Sequence, residues 1–295
     1  MVKAIVTHSG DFHTDDVFAV AALFSIYPQA VIIRTRDKSQ ISKGDIVVDV
    51  GGIYHPASGR FDHHQTGGAG GRENGVPYAA FGLVWKHFGE KLCPDIQARR
   101  IVDERLVQPI DCFDNGFKGV LPLLPGVYPY RIEEVVCTFH PTWKENKADT
   151  DGIFLEVLIL AQRIIEREIT RAMHRLEAEG QVVGAYGESI DKRLIVLDEE
   201  YPFQEVLTRY PEPIFVVHPD KINDTWNVRA VRERPREYGN RKDFPKEWAG
   251  MREMELARVS GVNDAIFCHN KLFLAAAKSK EGAIKLAKLA LAANI

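Results

Sequence analysis

Three clusters of histidine and aspartate side chains lie near the start of the chain. They are His8-Ser9-Gly10-Asp11-Phe12-His13-Thr14-Asp15-Asp16, Asp49-Val50-Gly51-Gly52 and Asp62-His63-His64. Imidazole nitrogens and carboxylate oxygens together form a ligand set that suits divalent ions such as Mn²⁺ and Zn²⁺. The residue types therefore predict a metal centre.

The clusters stand at the ends of segments that read as strands. In an open α/β sheet, ligands gather outside the carboxyl ends of the strands, so His8, Asp49 and His63 are expected to meet there. Six ligands are more than one ion takes while keeping an open position, so two ions that share a bridging carboxylate fit better. The predicted ligands are His8, His13, Asp15, Asp49, His63 and Asp111, the last of which would arrive from a helix end.

Other roles stay open for single members of these clusters. Asp15 could cap the helix that follows it, and Asp49, two residues before a glycine pair, could be an ordinary turn residue. Three clusters at three strand ends favour the metal interpretation over separate structural roles. The sequence contains no Gly-x-Ser-x-Gly elbow, no Walker loop and no cysteine beside a suitable base, so it supplies no competing nucleophile.

The elements that must position these residues indicate an α/β protein. Residues 3–7, 30–35 and 45–50 are near-continuous apolar runs, which are typical of parallel strands buried on both faces. Helical patterns cover residues 16–27, 77–88, 94–106 and 152–179. We therefore expect a first domain over 1–180 with a mostly parallel sheet and helices on both faces.

A second, smaller α/β domain is expected over residues 190–295. Its predicted strands are 192–197, 213–218, 225–231, 265–269 and 271–276, and its predicted helices are 203–210, 251–260 and 281–293. At 295 residues the chain is longer than a typical single core, which also favours two domains.

Composition narrows the class further. The net charge of -3 predicts that any attraction for a polyanion is local. The four cysteines are widely spaced and form no CxxC pair, which favours a reducing compartment. Neither a signal peptide nor an apolar run of about 20 residues is evident, so we expect a cytoplasmic protein without a membrane partner.

Several motifs together resemble the MYG exonuclease family, relatives of the DHH phosphoesterases that were long labelled metal-dependent protein hydrolases. They are Thr7-His8, Phe12-His13-Thr14-Asp15-Asp16, Arg34-Thr35-Arg36-Asp37, Ile46-Val47-Val48-Asp49-Val50-Gly51-Gly52, Arg60-Phe61-Asp62-His63-His64-Gln65, Ile110-Asp111-Cys112-Phe113-Asp114-Asn115-Gly116 and Trp226-Asn227-Val228-Arg229. The resemblance spans essentially the whole chain, and it implies a DHH-phosphoesterase-like fold for the first domain. The protein-hydrolase label finds no support, because no peptidase motif is present.

The resemblance implies a role for each residue of the site. His8, His13 and Asp15 would hold one Mn ion, Asp49 would bridge, and His63 and Asp111 would complete the second site. His64 would contact the scissile phosphate or leaving group, and Asp62 would orient an imidazole. Asp114 stays open as a further ligand. Manganese is the favoured ion, with Co, Mg and Zn as alternatives.

Substrate contacts are expected from basic residues. Arg36 lies within a family motif, and Arg229 and Arg232 belong to a basic run with aromatic neighbours that could track a single-stranded backbone. Such runs are more often solvated faces. DHH relatives often carry a Gly-Gly-His segment, where this chain has Ala275-Ala276-Ala277-Lys278, so only Lys278 could add a charged contact.

These observations predict a two-metal phosphodiester hydrolase, a 3'-5' exonuclease acting on RNA or short single-stranded oligonucleotides. The alternatives are a small-molecule phosphoesterase or pyrophosphatase, and a non-catalytic metal-dependent nucleic-acid-binding protein. A homodimer stays open as an oligomeric state.

Overall fold

The computed structural model describes residues 2–117, 124–145, 149–235 and 237–293. The chain divides into two compact units, Met1–Met173 and His174–Ile295, and the division falls within one long helix, Thr150–Glu188. Both units combine a sheet with helices, which confirms the α/β class. The domain limits 1–180 and 190–295 and the coverage of the first sheet on both faces stay predictions.

The first unit contains a five-stranded, mostly parallel sheet. Its strands are β1 (Ala4–Thr7), β2 (Val31–Arg34), β3 (Ile46–Val48), β4 (Tyr54–His55) and β5 (Arg60–Phe61), in the order β2-β1-β3-β5-β4. All neighbouring strands are parallel except β4 and β5. Ile5 and Val47, on β1 and β3, are fully buried, as expected for central strands of a parallel sheet.

Among the described residues, seven α-helices begin in this unit. They are α1 (Thr14–Ile26), α2 (Lys38–Ile41), α3 (Ala80–Leu92), α4 (Ile96–Val102), α5 (Gln108–Asp114), α6 (Ile132–Cys137) and α7 (Thr150–Glu188). Every residue of α1 from Thr14 to Leu23 is buried, because this helix packs against the sheet and against α3. A π-helical turn, Asp103–Val107, joins α4 to α5.

The short strand β5 depends on a glycine. Gly59 ends a 3₁₀ turn at Pro56–Ser58 with a φ of +71°, in the left-handed region that favours glycine. A Cβ atom there would lie 2.2 Å from the Asp45 carbonyl oxygen. Only glycine therefore allows the chain to enter β5 this close to the start of β3, and β5 leads directly into Asp62-His63-His64.

The second unit contains a five-stranded sheet of a different kind. Its elements are β6 (Leu194–Val196), α8 (Gln204–Leu207), β7 (Phe215–Asp220), β8 (Thr225–Ala230), α9 (Glu253–Ser260), β9 (Ala265–Cys268), β10 (Leu274–Ala277) and α10 (Lys280–Ala292). The strand order is β6-β7-β8-β10-β9, and only β6 and β7 are parallel. Phe215, Phe244 and Leu286 are fully buried in its core.

Two sequence-based expectations concern membrane-spanning helices and the pairing of cysteines. Within the described ranges, no helix combines the length and the apolar character needed to cross a membrane. The cysteines Cys93, Cys112, Cys137 and Cys268 are all free. Cytoplasmic localisation stays a prediction.

Candidate metal centre

Three neighbouring parallel strands deliver the central residues of the site. Because β1, β3 and β5 are adjacent and point the same way, their carboxyl ends meet at one edge of the sheet. His8 follows β1, Asp49 follows β3, and Asp62-His63-His64 follows β5. The Asp49 carboxylate lies between two imidazoles, with Oδ2 3.4 Å from His8 Nε2 and Oδ1 3.3 Å from His63 Nε2.

The backbone at Asp49 is unusual. Its φ of +53° places a non-glycine residue in the left-handed region, which aspartate and asparagine tolerate better than most residues. Its N–H donates to the Phe61 carbonyl at 3.2 Å, which ties the turn to β5. This strained conformation turns a buried carboxylate toward both imidazoles, and such strain concentrates at functional sites.

Helix α1 contributes two adjacent carboxylates that point to different partners. Asp16 Oδ2 lies 3.3 Å from His8 Nε2, while Asp16 Oδ1 accepts the N–H of His13 at 2.7 Å. Asp15 accepts the N–H groups of Ala80 and Phe81 at 2.8 and 2.7 Å, at the start of α3. Asp15, in the first turn of α1, therefore satisfies N–H donors at the start of another helix, α3.

The structure separates the two carboxylates of α5. Asp114 Oδ2 lies 3.1 Å from His63 Nε2. Asp111 is fully buried and turned away, where it accepts the Gly82 N–H at 2.9 Å and pairs with Arg72 at 2.7 Å. Asp111 is therefore not among the convergent ligand atoms of the described residues, and Asp114 occupies the position beside His63.

Three overlapping groups of side chains could each hold a metal ion, with ligand atoms within 4.8 Å of one another. The groups are His8, His13, Asp16 and Asp49; Asp49, His63 and His64; and Asp15, His63 and Asp114. Asp49 belongs to two groups, and so does His63. The geometry thus brings together five of the six predicted ligands and adds Asp16, His64 and Asp114.

The donor atoms themselves fit a divalent ion. In the described part of the chain, Asp16 Oδ2, Asp49 Oδ1 and His63 Nε2 are buried polar atoms that form no hydrogen bond of good geometry. A buried polar atom without a partner costs free energy of about 1–3 kcal/mol. Asp49 shares one group of ligand atoms with Asp16 and another with His63, so these unpartnered atoms are suited to bind a metal ion.

Proton affinities in the cluster are strongly perturbed. Burial raises the pKa of Asp16 to about 7, although the neighbouring His8 opposes this. Burial and the nearby carboxylates raise the pKa of Asp15 as well. Burial alone would lower the pKa of His63, but its interactions with Asp114 and Asp49 outweigh this and raise the pKa to about 11. At neutral pH the cluster therefore holds protons that a cation would displace.

Beside these ligands lies a cleft of about 500 Å³. His64 lines it with a mostly exposed ring, and Asp62 accepts from both His64 Nδ1 at 2.8 Å and His64 N at 3.0 Å. Gly52 N–H holds the other oxygen of Asp62 at 2.6 Å. Arg36 lines the same cleft, with Nε 3.1 Å from the Ser9 carbonyl and a guanidinium nitrogen 3.3 Å from His8 Nδ1.

The predicted substrate residues of the second unit are not gathered together. In the β8–β10 pair Arg229 stands opposite Leu274, whereas Lys278 follows Ala277, which stands opposite Trp226. Arg229 and Lys278 thus lie at opposite ends of this pair. Arg232 lies over the Tyr238 ring at 5.5 Å, and Arg236 of the same basic run lies outside the described residues. Ala275, Ala276 and Ala277 are buried in β10, so they are sheet residues.

The sequence interpretation missed Asp16 as a candidate ligand and left Asp114 open. The signal for Asp16 was its position directly after Asp15, but the rotation of α1 decides which of the two carboxylates faces His8. For Asp114 the signal was its spacing of three residues from Asp111, which places both on neighbouring parts of one helix face. Contacts with Gly82, Arg72 and His63 decide between them.

Comparisons with known proteins agree with these motifs. A family model described as "Uncharacterised protein family (UPF0160)", and labelled MYG1 exonuclease, matches residues 4–291. The MYG1 exonuclease of Mus musculus is 30% identical, over 98% of this chain and 84% of its own length. The MYG1 exonuclease of Homo sapiens is 28% identical, over 98% and 85%. The MYG1 protein of Saccharomyces cerevisiae is 28% identical, over 99% and 96%. The chain therefore belongs to the MYG1 exonuclease family.

Proposed function

We propose that this protein hydrolyses phosphodiester bonds with two divalent ions, and that it removes nucleotides from the 3' end of RNA or short single-stranded oligonucleotides. The observation that carries the proposal is the shared position of Asp49 between two groups of ligand atoms. Relatives named MYG1 exonuclease support a nucleic-acid substrate.

The ligand assignment that we propose omits Asp111, moves Asp15 to the second ion, and adds Asp16 and Asp114. One ion would be held by His8, His13, Asp16 and Asp49, and the other by Asp15, His63 and Asp114 with Asp49 between them. Asp111 would position α5 through Gly82 and Arg72 and would not bind metal. Manganese suits this mixed nitrogen and oxygen set, as do Co, Zn and Mg in different degrees.

Two divalent ions at this place would supply an activated water and neutralise charge on the phosphoryl oxygens. The side chains of the cleft would bind the phosphate and exchange a proton with the leaving group. Arg36 would bind a phosphate oxygen with its exposed guanidinium. The carboxylate of Asp62 keeps a proton on His64 Nδ1, so His64 Nε2 is left to exchange a proton with the leaving oxygen.

The decisive variant is Asp49→Asn, because asparagine keeps the size of the side chain and tolerates the same left-handed backbone. Asp224→Asn is its matched control, since Asp224 is exposed and has a φ of +51°. Protein loaded with Mn²⁺ would be incubated with single-stranded RNA labelled at either end, with and without EDTA.

We expect stepwise release of mononucleotides from the 3' end by the wild type and by Asp224→Asn. Asp49→Asn should lose activity by about 100-fold or more, because even the loss of a residue that only hydrogen-bonds to a metal ligand costs about 10- to 100-fold. Mn²⁺ should raise the melting temperature of the wild type and not that of Asp49→Asn.

Full activity in Asp49→Asn, or in EDTA, would contradict the two-metal proposal. Turnover confined to pyrophosphate or small phosphoesters would favour the small-substrate alternative, and RNA binding without turnover would favour the binding role.

A further inference from the structure

Phe113 is an aromatic residue in an otherwise polar place. It lies on α5 directly before Asp114, and both residues line the cleft beside the candidate metal centre. Its neighbours Ile110 and Asp111 are buried, whereas Phe113 is 39% exposed. A single exposed aromatic ring needs no explanation in general. This one, however, stands next to a proposed metal ligand and within the substrate cleft.

A second planar group is held against this ring. The guanidinium carbon of Arg131 lies 4.2 Å from the centre of the Phe113 ring, which is a cation–π contact. Arg131 is fixed there by Glu134, with a guanidinium nitrogen 3.0 Å from Glu134 Oε1. Glu134 also accepts the backbone N–H of Arg131 at 2.5 Å. The start of α6 therefore holds Arg131 in place over Phe113.

We propose that Phe113 and Arg131 form a stacking subsite for the nucleobase of the terminal nucleotide. This inference rests on the proposed function, and it names the part of the substrate that is recognised. Proteins that bind single strands without sequence preference use aromatic rings, with added cation–π contacts from arginine, because every base has a flat face. The subsite therefore accepts any of the four bases and rejects a nucleotide that has none.

The test measures stacking separately from turnover. A short RNA with 2-aminopurine at its 3' end loses fluorescence when that base stacks on an aromatic ring. The same RNA with an abasic 3' nucleotide serves for kinetics. The variants are Phe113→Leu, which keeps apolar volume but removes the ring, and Phe113→Trp, which keeps a stacking surface. Trp143→Leu is the control, because Trp143 is 84% exposed, carries its own cation–π partner Lys144, and is not a cleft residue.

We expect rapid quenching when the Mn-loaded wild type is mixed with this RNA, before the terminal nucleotide is released, its loss in Phe113→Leu, and its return in Phe113→Trp. The wild type should prefer the base-bearing RNA over the abasic one by about tenfold or more in kcat/KM, mainly through KM. In Phe113→Leu this preference should fall to about one, and Trp143→Leu should behave as the wild type.

Each failure has a distinct signature. Quenching that is absent in the wild type, or unchanged in Phe113→Leu, overturns the stacking subsite whatever the turnover. Quenching that follows the expected pattern without any nucleotide release supports the subsite and overturns the proposed hydrolysis. Mn²⁺ affinity is measured for each variant, and a weakened affinity in Phe113→Leu would assign its loss of quenching to displacement of Asp114, which also overturns the inference.

Discussion

Carboxylates that lie close together in the sequence contact different partners in this site. Asp111 and Asp114 lie one helical turn apart on α5, yet one is turned to Gly82 and Arg72 and the other to His63. Asp15 and Asp16 are adjacent, yet one caps α3 and the other faces His8. Whether one of these aspartates can bind a metal ion therefore depends on which lone pairs of its carboxylate oxygens remain free.

The two carboxylates of α5 should therefore respond differently to the same substitution. We expect Asp114→Asn to weaken Mn²⁺ binding by about 10- to 100-fold with little loss of stability. Asp111→Asn should lower the free energy of unfolding by about 1.5–3 kcal/mol, because it removes a charged partner of Arg72, and should leave Mn²⁺ affinity nearly unchanged. Calorimetric titration and thermal melts of both variants measure this. The reverse pattern would restore Asp111 as the ligand.

Proton release on metal binding should depend on pH. Asp16, with a pKa raised to about 7, gains a free lone pair as the pH rises through that value, so Mn²⁺ affinity should increase from about pH 6 to about pH 8. His63, with a pKa raised to about 11, must lose its proton on binding across this whole range. Titration calorimetry in buffers of different ionisation enthalpy should show more protons released at the lower pH. Release of no protons would contradict the assignment of both residues.

Helices α1, α3 and α5 are held close together around the site by hydrogen bonds between them. Helix α3 begins at Ala80 and lends its first N–H groups to carboxylates from α1 and α5, which ties three helices together around the site. The approach of α5 requires a residue without a side chain at Gly82. A Cβ atom at that position would lie 1.8 Å from Asp111 Oδ2.

Gly82→Ala should consequently destabilise the protein by about 1–3 kcal/mol, because the Asp111 carboxylate must move and lose its contacts. Gly180→Ala on α7 is the control, since a Cβ there meets nothing within 4 Å. It should stabilise by about 0.5–1 kcal/mol, the usual difference between alanine and glycine within a helix. Chemical denaturation of both variants compares them. Equal effects of the two substitutions would show that the approach of α5 to α3 is looser than the structure indicates.

At the scale of the whole molecule, the candidate ligands and the second core belong to different units. All candidate metal ligands lie before Met173, whereas the core around Phe215 and Leu286 belongs to the second unit. The first sheet brings strand ends to a site, and the second is mostly antiparallel. Changes in the second core should therefore leave metal binding intact.

Leu286→Ala tests this separation. Leu286 is fully buried on α10, and its truncation should cost about 2–5 kcal/mol of stability. Leu289→Ala on the same helix is the control, because Leu289 is 37% exposed and should cost much less. Both variants should bind Mn²⁺ as the wild type does when measured well below their melting temperatures. A large loss of affinity in Leu286→Ala would show that the two units are energetically coupled.

Much of this architecture was predictable from local pattern. The apolar runs before His8 and Asp49 indicated the strands, because central strands of a parallel sheet form near-continuous apolar runs that can be recognised without their partners. The family resemblance was also readable, and it is confirmed. A strand was expected before Asp62-His63-His64 but was given no bounds, and β4 was not predicted, since two residues are too few to form a recognisable apolar run.

The sequence by itself therefore determined the α/β class, the family, and the meeting of histidines and aspartates at one sheet edge, because parallel strands point their carboxyl ends the same way. Only the tertiary structure decided which carboxylate faces which imidazole. The rotation of α1 and the approach of α5 to Gly82 and Arg72 made those choices. The tertiary structure also places Phe113 under Arg131, a contact between residues eighteen positions apart. These contacts depend on packing between segments that are distant in the sequence, so a local sequence pattern does not predict them.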